Sequence, residues 1–308
     1  MELFLLSLVL FAGYTNMVAA VTAPTMQLND GNKIPILALG TYSGTGEVMR
    51  QTVNRAVEVG YRHIDTAALY QNEADIGKGI DDVIKKGLVK RGDLFITTKL
   101  WNDKHARDQV VPALRESLAR LGLDYVDLYL IHSPASENPD GSPANIDILE
   151  TWKGMEEAKQ LGLAKSIGVS NFDVEQVKRI IDNSQIKPAV NQIEVHATYT
   201  QEPLVSAMQK LGVAVMAYSP FGFLVNRGES SAPPPQTDDP ILTKIAQKYG
   251  KSTPQVILRY LIDRGTIPIP KSTNKDRLQQ NINVFDFSLT PEEVATINKF
   301  DVNRSVFS

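Results

Sequence analysis

Four side chains able to move a proton stand out, three of them at the ends of short apolar runs. Asp65 closes the run Tyr61 to Thr66, with Tyr70 a few residues later in the turn before the next helical pattern. Lys99 closes the β-rich run Leu94 to Leu100, and His132 closes Val126 to His132, ahead of Ser133 and Pro134. A carboxylate, a phenol, an ammonium and an imidazole in one pocket make a proton-transfer site. Taken singly, each has a plainer role: a half-buried loop aromatic, a structural ion pair, a satisfied core histidine. The four meet only if their segments are parallel strands whose carboxyl ends open on one face.

The rest of the chain predicts that arrangement. Candidate strands run over Leu37 to Gly40, Tyr61 to Thr66, Leu94 to Leu100, Val126 to His132, Ala164 to Ser170, Ala189 to Val195, Ala214 to Ser219 and Thr266 to Pro270. Between them lie helical patterns over Glu47 to Val59, Glu73 to Lys86, Arg107 to Leu121, Ile146 to Leu161, Asp173 to Asp182, Gln201 to Lys210 and Thr253 to Asp263. Gly60, Gly122, Gly162 and Gly212 follow helical runs, where a residue free to take positive φ ends the helix. Short apolar strands separated by single helices imply right-handed crossovers and a parallel sheet. Eight such units predict a closed (β/α)8 TIM barrel of the α/β class. Ahead of it, Met26 to Leu28 and Lys33 to Pro35 flank Asn29-Asp30-Gly31-Asn32, which predicts a β-hairpin plugging the amino-terminal end. The Pro- and Gly-rich segment Phe221 to Asp239 follows a strand's carboxyl end, where a substrate lid would lie. Thr290-Pro291-Glu292-Glu293 opens a short helix before a tail from Asn298 to Ser308.

At 308 residues, with 43% hydrophobic and 22% charged residues, the chain has the composition of one large globular domain. A net charge of -3 offers no basic excess for phosphate backbones, so nucleic acid is not expected as a partner. Leu3 to Ala12 is continuously apolar and small residues follow at Ala19, Ala20 and Ala23, which reads as a signal peptide over residues 1–23, despite the acidic Glu2. The mature domain would then be residues 24–308, secreted and without a membrane anchor, since the apolar run falls short of a span; without cleavage the chain would be cytoplasmic. The chain has no cysteine, so a secreted form would rely on its core rather than disulfides. Asn303-Arg304-Ser305 fits the glycosylation sequon, which matters only in the secretory pathway.

Two familiar motifs fail. Gly44-Thr45-Gly46-Glu47-Val48-Met49 lacks the third glycine of a dinucleotide fingerprint, and Gly168-Val169-Ser170-Asn171-Phe172 lacks the closing glycine of a nucleophile elbow. An anion site is better supported at Ile269-Pro270-Lys271-Ser272-Thr273-Asn274-Lys275-Asp276-Arg277, where a strand ends in a lysine and a helix then begins. Lys271 and Arg277 could together grip a phosphate there, in the place where barrels recurrently bind one. Glu194 and His196 share a strand face, but no third ligand of suitable spacing accompanies them, so no metal is expected.

Taken together, these segments resemble the aldo-keto reductases, over nearly everything from Thr25 to Ser308. The resemblance is carried by Leu39-Gly40-Thr41, Asp65-Thr66-Ala67 with Tyr70, Thr98-Lys99-Leu100-Trp101, His132-Ser133-Pro134, Gly168 to Phe172, Asn191-Gln192-Ile193-Glu194, Ala217-Tyr218-Ser219-Pro220 and Ile269-Pro270-Lys271-Ser272. It implies a monomeric barrel that reduces a small-molecule carbonyl with NADPH bound in an extended pose. Tyr70 would be the general acid, Lys99 and Asp65 would tune it, and His132 would orient the carbonyl. In chemical terms, a tyrosine with an ordinary pKa of about 10 is still protonated near neutrality, and a neighbouring Lys99 is expected to lower that value. The same resemblance implies that Ser170, Asn171 and Gln192 hold the nicotinamide carboxamide, with Tyr218 stacked on the ring. Ser219, Phe221 and Lys271 would line the pyrophosphate path, Ser272, Thr273 and Arg277 would take the 2′-phosphate, and Gln280 and Asn281 would reach the adenine. Gly40, Thr41 and Tyr42 join the cofactor set, and Tyr42, Tyr70, Trp101 and His132 would touch substrate.

Ser133 and Tyr42 stand where many relatives carry tryptophan, and the tail ends soon after Phe307. Less indole surface and a short tail imply a wider mouth, suited to a bulky ketone or long-chain aldehyde. A signal with a short tail is also similar to the insect 3-dehydroecdysone reductases of this family, which reduce a steroid 3-ketone. The alternatives are a general aldehyde reductase, a Schiff-base lyase using Lys99 or Lys271, or a non-catalytic binding protein on the same scaffold.

Overall fold

The computed structural model describes residues 21–225, 228 and 231–307. Residues 1–20 of the expected signal segment, and part of the expected lid, lie outside them.

The chain opens with an antiparallel hairpin, β1 (Thr25–Gln27) and β2 (Lys33–Pro35). Eight parallel strands follow, each paired with the next in chain order: β3 (Leu39–Gly40), β4 (His63–Asp65), β5 (Phe95–Leu100), β6 (Val126–Ile131), β7 (Ala164–Ser170), β8 (Val190–Glu194), β9 (Ala214–Tyr218) and β10 (Thr266–Pro268). The first six connections carry α1 (Gly46–Glu58), α2 (Glu73–Lys85), α3 (Arg107–Leu121), α4 (Ile148–Gln160), α5 (Val174–Asn183) and α6 (Glu202–Lys210). The β9 to β10 connection holds two helices, α7 (Pro240–Tyr249) and α8 (Thr253–Asp263), and α9 (Lys275–Ile282) and α10 (Pro291–Asn298) follow β10. All eight expected strands form, trimmed by a residue or more at several ends.

The cylinder closes through two backbone bonds, Ala38 N to Pro268 O at 3.1 Å and Gly40 N to Pro270 O at 3.0 Å. Between them, Ile269 N turns the other way and donates to Ala217 O at 2.9 Å. Proline has no amide hydrogen to give, so Pro268 and Pro270 serve this seam only as acceptors and no full ladder forms across it.

Strand alternation divides the core in two. Leu128 and Leu130 of β6 point inward with Phe95, Met216 and Ile267, while Tyr129 and Ile131 point out to the helices with Val110, Leu114 and Trp152. The hairpin closes the amino-terminal end as expected: Leu28 and Ile34 join the inner cluster. Asn29 Nδ2 donates to Pro188 O at 2.8 Å, and Asn32 Nδ2 donates to Ser166 Oγ at 3.0 Å. The barrel is therefore a packed plug below and open only above.

Helix α7 was not anticipated, because the prolines of the preceding segment masked its start. Its signals are local all the same: Asp239 Oδ1 accepts from the amides of Ile241 and Leu242, Pro240 occupies the first turn, and Gly250 at φ 63° ends it. Among the described residues no helix is long and apolar enough to cross a membrane.

Gly168 sits where β7 meets β8, and a Cβ there would lie 2.5 Å from Val190 O and 2.8 Å from Leu130 Cδ2. Gly168→Ala should therefore cost about 1 to 3 kcal/mol through overpacking and lower Tm by several degrees in a thermal melt. An unchanged Tm would show that the two strands can part without penalty.

Candidate active site

At the upper end of the barrel the Lys99 ammonium, buried at 1% exposure, donates to Asp65 Oδ1 at 2.7 Å, Thr66 O at 2.9 Å and the Tyr70 hydroxyl at 3.2 Å. The second Asp65 oxygen accepts from Gln192 Nε2 at 2.7 Å, and Thr41 Oγ1 donates to the Asp65 backbone oxygen at 2.8 Å. Strands β3, β4, β5 and β8 thus converge on one buried ion pair. The His132 ring stands edge-on to Tyr70, with centroids 5.8 Å apart, and Tyr42 flanks Tyr70 at 5.2 Å. The four residues singled out by sequence are together.

Tyr70 is not on a strand; a single 3-10 turn, Ala68–Tyr70, carries it, and Gln71 at φ 54° ends that turn. The turn is tied down by Asn72, which sequence reasoning missed. Its buried amide donates to Thr41 O at 2.8 Å and Gly44 O at 2.7 Å and accepts from Thr66 Oγ1 at 3.0 Å. Asn72 therefore fixes the phenol against the strand bearing Asp65 and the loop after β3.

Electrostatics correct one expectation. Burial pushes the Tyr70 phenol above its ordinary value, and the nearby Lys99 charge offsets only part of that rise. Tyr70 is a phenol, not a phenolate, throughout the neutral range. Burial opposes the charge on Lys99, but Asp65 and Tyr70 outweigh it, and its pKa stands raised. His132 is pulled down to about 3, chiefly by burial and further by the Lys99 charge, so it is neutral.

These groups floor a cavity of about 580 Å³. Of the expected residues, Gly40, Thr41, Tyr42, Asp65, Tyr70, His132, Ser170, Asn171, Gln192, Tyr218, Ser219, Phe221 and Lys271 line it. Asn171, held at φ 62°, donates to His132 O at 2.9 Å, and its carbonyl accepts from the Tyr218 hydroxyl at 2.8 Å. Ser170 Oγ donates to Gln192 O at 2.8 Å. Ser272, Thr273, Arg277, Gln280 and Asn281 do not line the cavity; the first three run from Lys271 into the start of α9, where Asn274 caps the helix and Arg277 Nε lies 3.3 Å from Ser272 Oγ, and Gln280 and Asn281 are in its last turn. Trp101 also departs from expectation: its ring abuts His132 at 5.0 Å but faces a separate recess of about 240 Å³ behind Lys99. Leu69, Val225 and Phe307, with Ser43, Pro220 and Ile269, complete the main wall.

The family comparison agrees with this geometry: residues 37–302 match the Aldo/keto reductase family. The chain belongs to that family. Aldo-keto reductase AKR2E4 of Bombyx mori is 64% identical to it over 293 residues, covering 93% of this chain and 95% of the relative. The crystal structure of that Bombyx protein, in complex with NADP, superposes with a TM-score of 0.92 over 94% of this chain and 96% of that one. The structure of aldo-keto reductase AKR2E5 complexed with NADPH, 45% identical, gives 0.90 over 92% and 89% of the two chains. The match extends to chicken aldo-keto reductase family 1 member A1, 42% identical over 90% of this chain and 88% of that protein.

In this reductase the depressed His132 value has a direct readout. Its ring nitrogen NMR shifts should stay constant from pH 8 down to pH 5, across the ordinary histidine midpoint of about 6.5. A transition near that midpoint would mean that the ring is solvated and charged in mild acid.

Proposed function

We propose that this aldo/keto reductase is an NADPH-dependent carbonyl reductase in which Tyr70 delivers the proton. The observation that carries this reading is the phenol 3.2 Å from a buried ammonium at the floor of an open cavity. The residue set suits the cofactor: amides and hydroxyls of Ser170, Asn171 and Gln192 beside the flat Tyr218 ring, then the exposed Lys271 cation and Arg277 at a capped helix start. When bound, NADPH supplies the hydride. The chain's own part is acid catalysis and positioning. His132, neutral, can donate one hydrogen bond to the carbonyl oxygen and hold it toward the Tyr70 hydroxyl. As negative charge grows on that oxygen, Tyr70 gives its proton, and the Lys99 ammonium stabilises the phenolate left behind. Asp65 keeps Lys99 charged and aimed, and Gln192 holds Asp65.

The mouth favours a bulky apolar substrate. Tyr42 is 58% exposed and Phe307 63%, with Leu69 and Val225 beside the same opening, so a flat hydrophobic body would cover side chains that are otherwise wet. The bulky, rigid ring system of 3-dehydroecdysone, which presents its 3-ketone at one end, suits an opening of that width, and this steroid is the substrate we infer. The apolar run Leu3 to Ala12 supports the further inference that residues 1–23 send the chain to the secretory pathway, and the family resemblance that it works as a monomer.

Tyr70→Phe should lower kcat by about 10² to 10⁴ while leaving NADPH binding, followed by fluorescence quenching, unchanged. An active variant would remove Tyr70 from the role. Arg277→Ala should raise the KM for NADPH by about tenfold or more and leave that for NADH nearly alone. Equal losses for both would take the 2′-phosphate from Arg277. Turnover of 3-dehydroecdysone should exceed that of propanal in kcat/KM, and a negligible steroid rate would sink the substrate assignment.

A further inference from the structure

Two residues that the proton transfer leaves unused, Glu194 at the carboxyl end of β8 and His196 just past it, are both buried. Glu194 gathers three partners. His196 Nε2 lies 2.8 Å from Oε1, Val306 N donates to Oε1 at 2.7 Å, and Ser305 Oγ donates to Oε2 at 2.6 Å. Two of these come from the C-terminal tail. The next residue, Phe307, sets its ring 5.9 Å from that of Tyr218 and lines the outer wall of the cavity.

His196 reaches the other segment of that wall. The 3-10 turn Gly222–Leu224 lies against its ring, where a Cβ on Gly222 would come within 2.5 Å of Nδ1, and the Phe223 ring stands edge-on at 6.2 Å. Phe221 and Val225, on either side of that turn, face the cavity. Tail and turn also touch through the Arg304 guanidinium, 4.9 Å over the Phe223 ring. Burial pushes the Glu194 carboxyl up, but its hydrogen bonds from His196, Ser305 and Val306 outweigh burial and hold it below the ordinary value, so it is an anion at neutral pH. Without that anion, Val306 N and Ser305 Oγ would lose their acceptor, and water would be the better partner for both.

We propose that Glu194 and His196 are positioning residues that pin the C-terminal tail and the post-β9 turn together, and that this pin sets which carbonyl compounds the cavity accepts. The proposal rests on the reading that the cavity takes a carbonyl substrate. It predicts an effect graded by substrate size, because a small aldehyde at the floor of the cavity does not reach Phe307 or Val225, whereas a rigid polycyclic ketone does.

The test compares propanal with androstane-3,17-dione, using NADPH, in wild type, Glu194→Ala and Ser305→Ala. In Glu194→Ala the KM for the diketone should rise about tenfold, while the KM for propanal and both kcat values stay within about twofold. Ser305→Ala keeps the barrel intact, so it carries the test even if Glu194→Ala fails to fold, and should move the diketone KM about threefold in the same direction. Release of the tail has its own readout. Trypsin should cut after Arg304 about tenfold faster in either variant, measured by mass spectrometry of the intact chain. Proportional changes for both substrates, or an unchanged cleavage rate, would overturn the pin. If wild type reduced neither compound, the carbonyl-reductase reading would fall, and the cleavage rates would still decide the pin.

Discussion

The Lys99 to Asp65 ion pair is the interaction on which the rest of the site depends. Both side chains are nearly inaccessible, at 1% and 4% exposure, and burying two charges is expensive unless geometry and further hydrogen bonds offset it. Here the offset comes from the Thr66 carbonyl, the Gln192 amide and the Tyr70 hydroxyl. Removing one partner would strand a charge in the barrel at a cost of about 3 to 5 kcal/mol. Those contributors sit on β4, β5, β8 and the turn after β4, so the pair is satisfied only when distant strands have found their register. Assembly of the fold and assembly of the acid are the same event.

A second buried carboxylate repeats the logic higher in the barrel. Gln192 and Glu194 are two apart on β8 and therefore share a face; the lower side chain secures Asp65 and the upper one secures the tail. One strand thus links the floor of the cavity to its rim. The apolar side chains at that rim, Phe307 and Val225 among them, are held by polar contacts set behind them.

The barrel and the four central residues were legible in the sequence because their signals are local. Each strand is a short apolar run, each helix ends on a glycine or polar cap, and Asp65, Lys99 and His132 stand at strand ends. What escaped depends on contacts between distant positions. Nothing in the pattern around Asn72 announces that its amide bonds Thr41 and Gly44, and nothing near Glu194 points to Ser305. Which recess the Trp101 ring lines is not legible either, since its strand-end position fixes the backbone and not the ring. Lys99 acts on Tyr70 with the expected sign, but the net shift is upward because sequence shows the neighbouring cation and not the depth of burial that outweighs it. Helix α7 carries local signals in Asp239, Pro240 and Gly250, but a proline-rich segment directly precedes them.

The prolines of β10 leave an asymmetry in the closure of the barrel. Between β6 and β7 the pairing is unbroken from Leu128 to Ile131, whereas the join of the first and last strands rests on the amides of Ala38 and Gly40. Gly40 and Lys271, at the upper end of that join, also border the cavity. Few bonds would have to be given up for the cylinder to part locally along that join. That line runs beside the path from Lys271 toward α9, so a long, phosphate-bearing molecule could be admitted sideways along the wall instead of threaded down through the mouth.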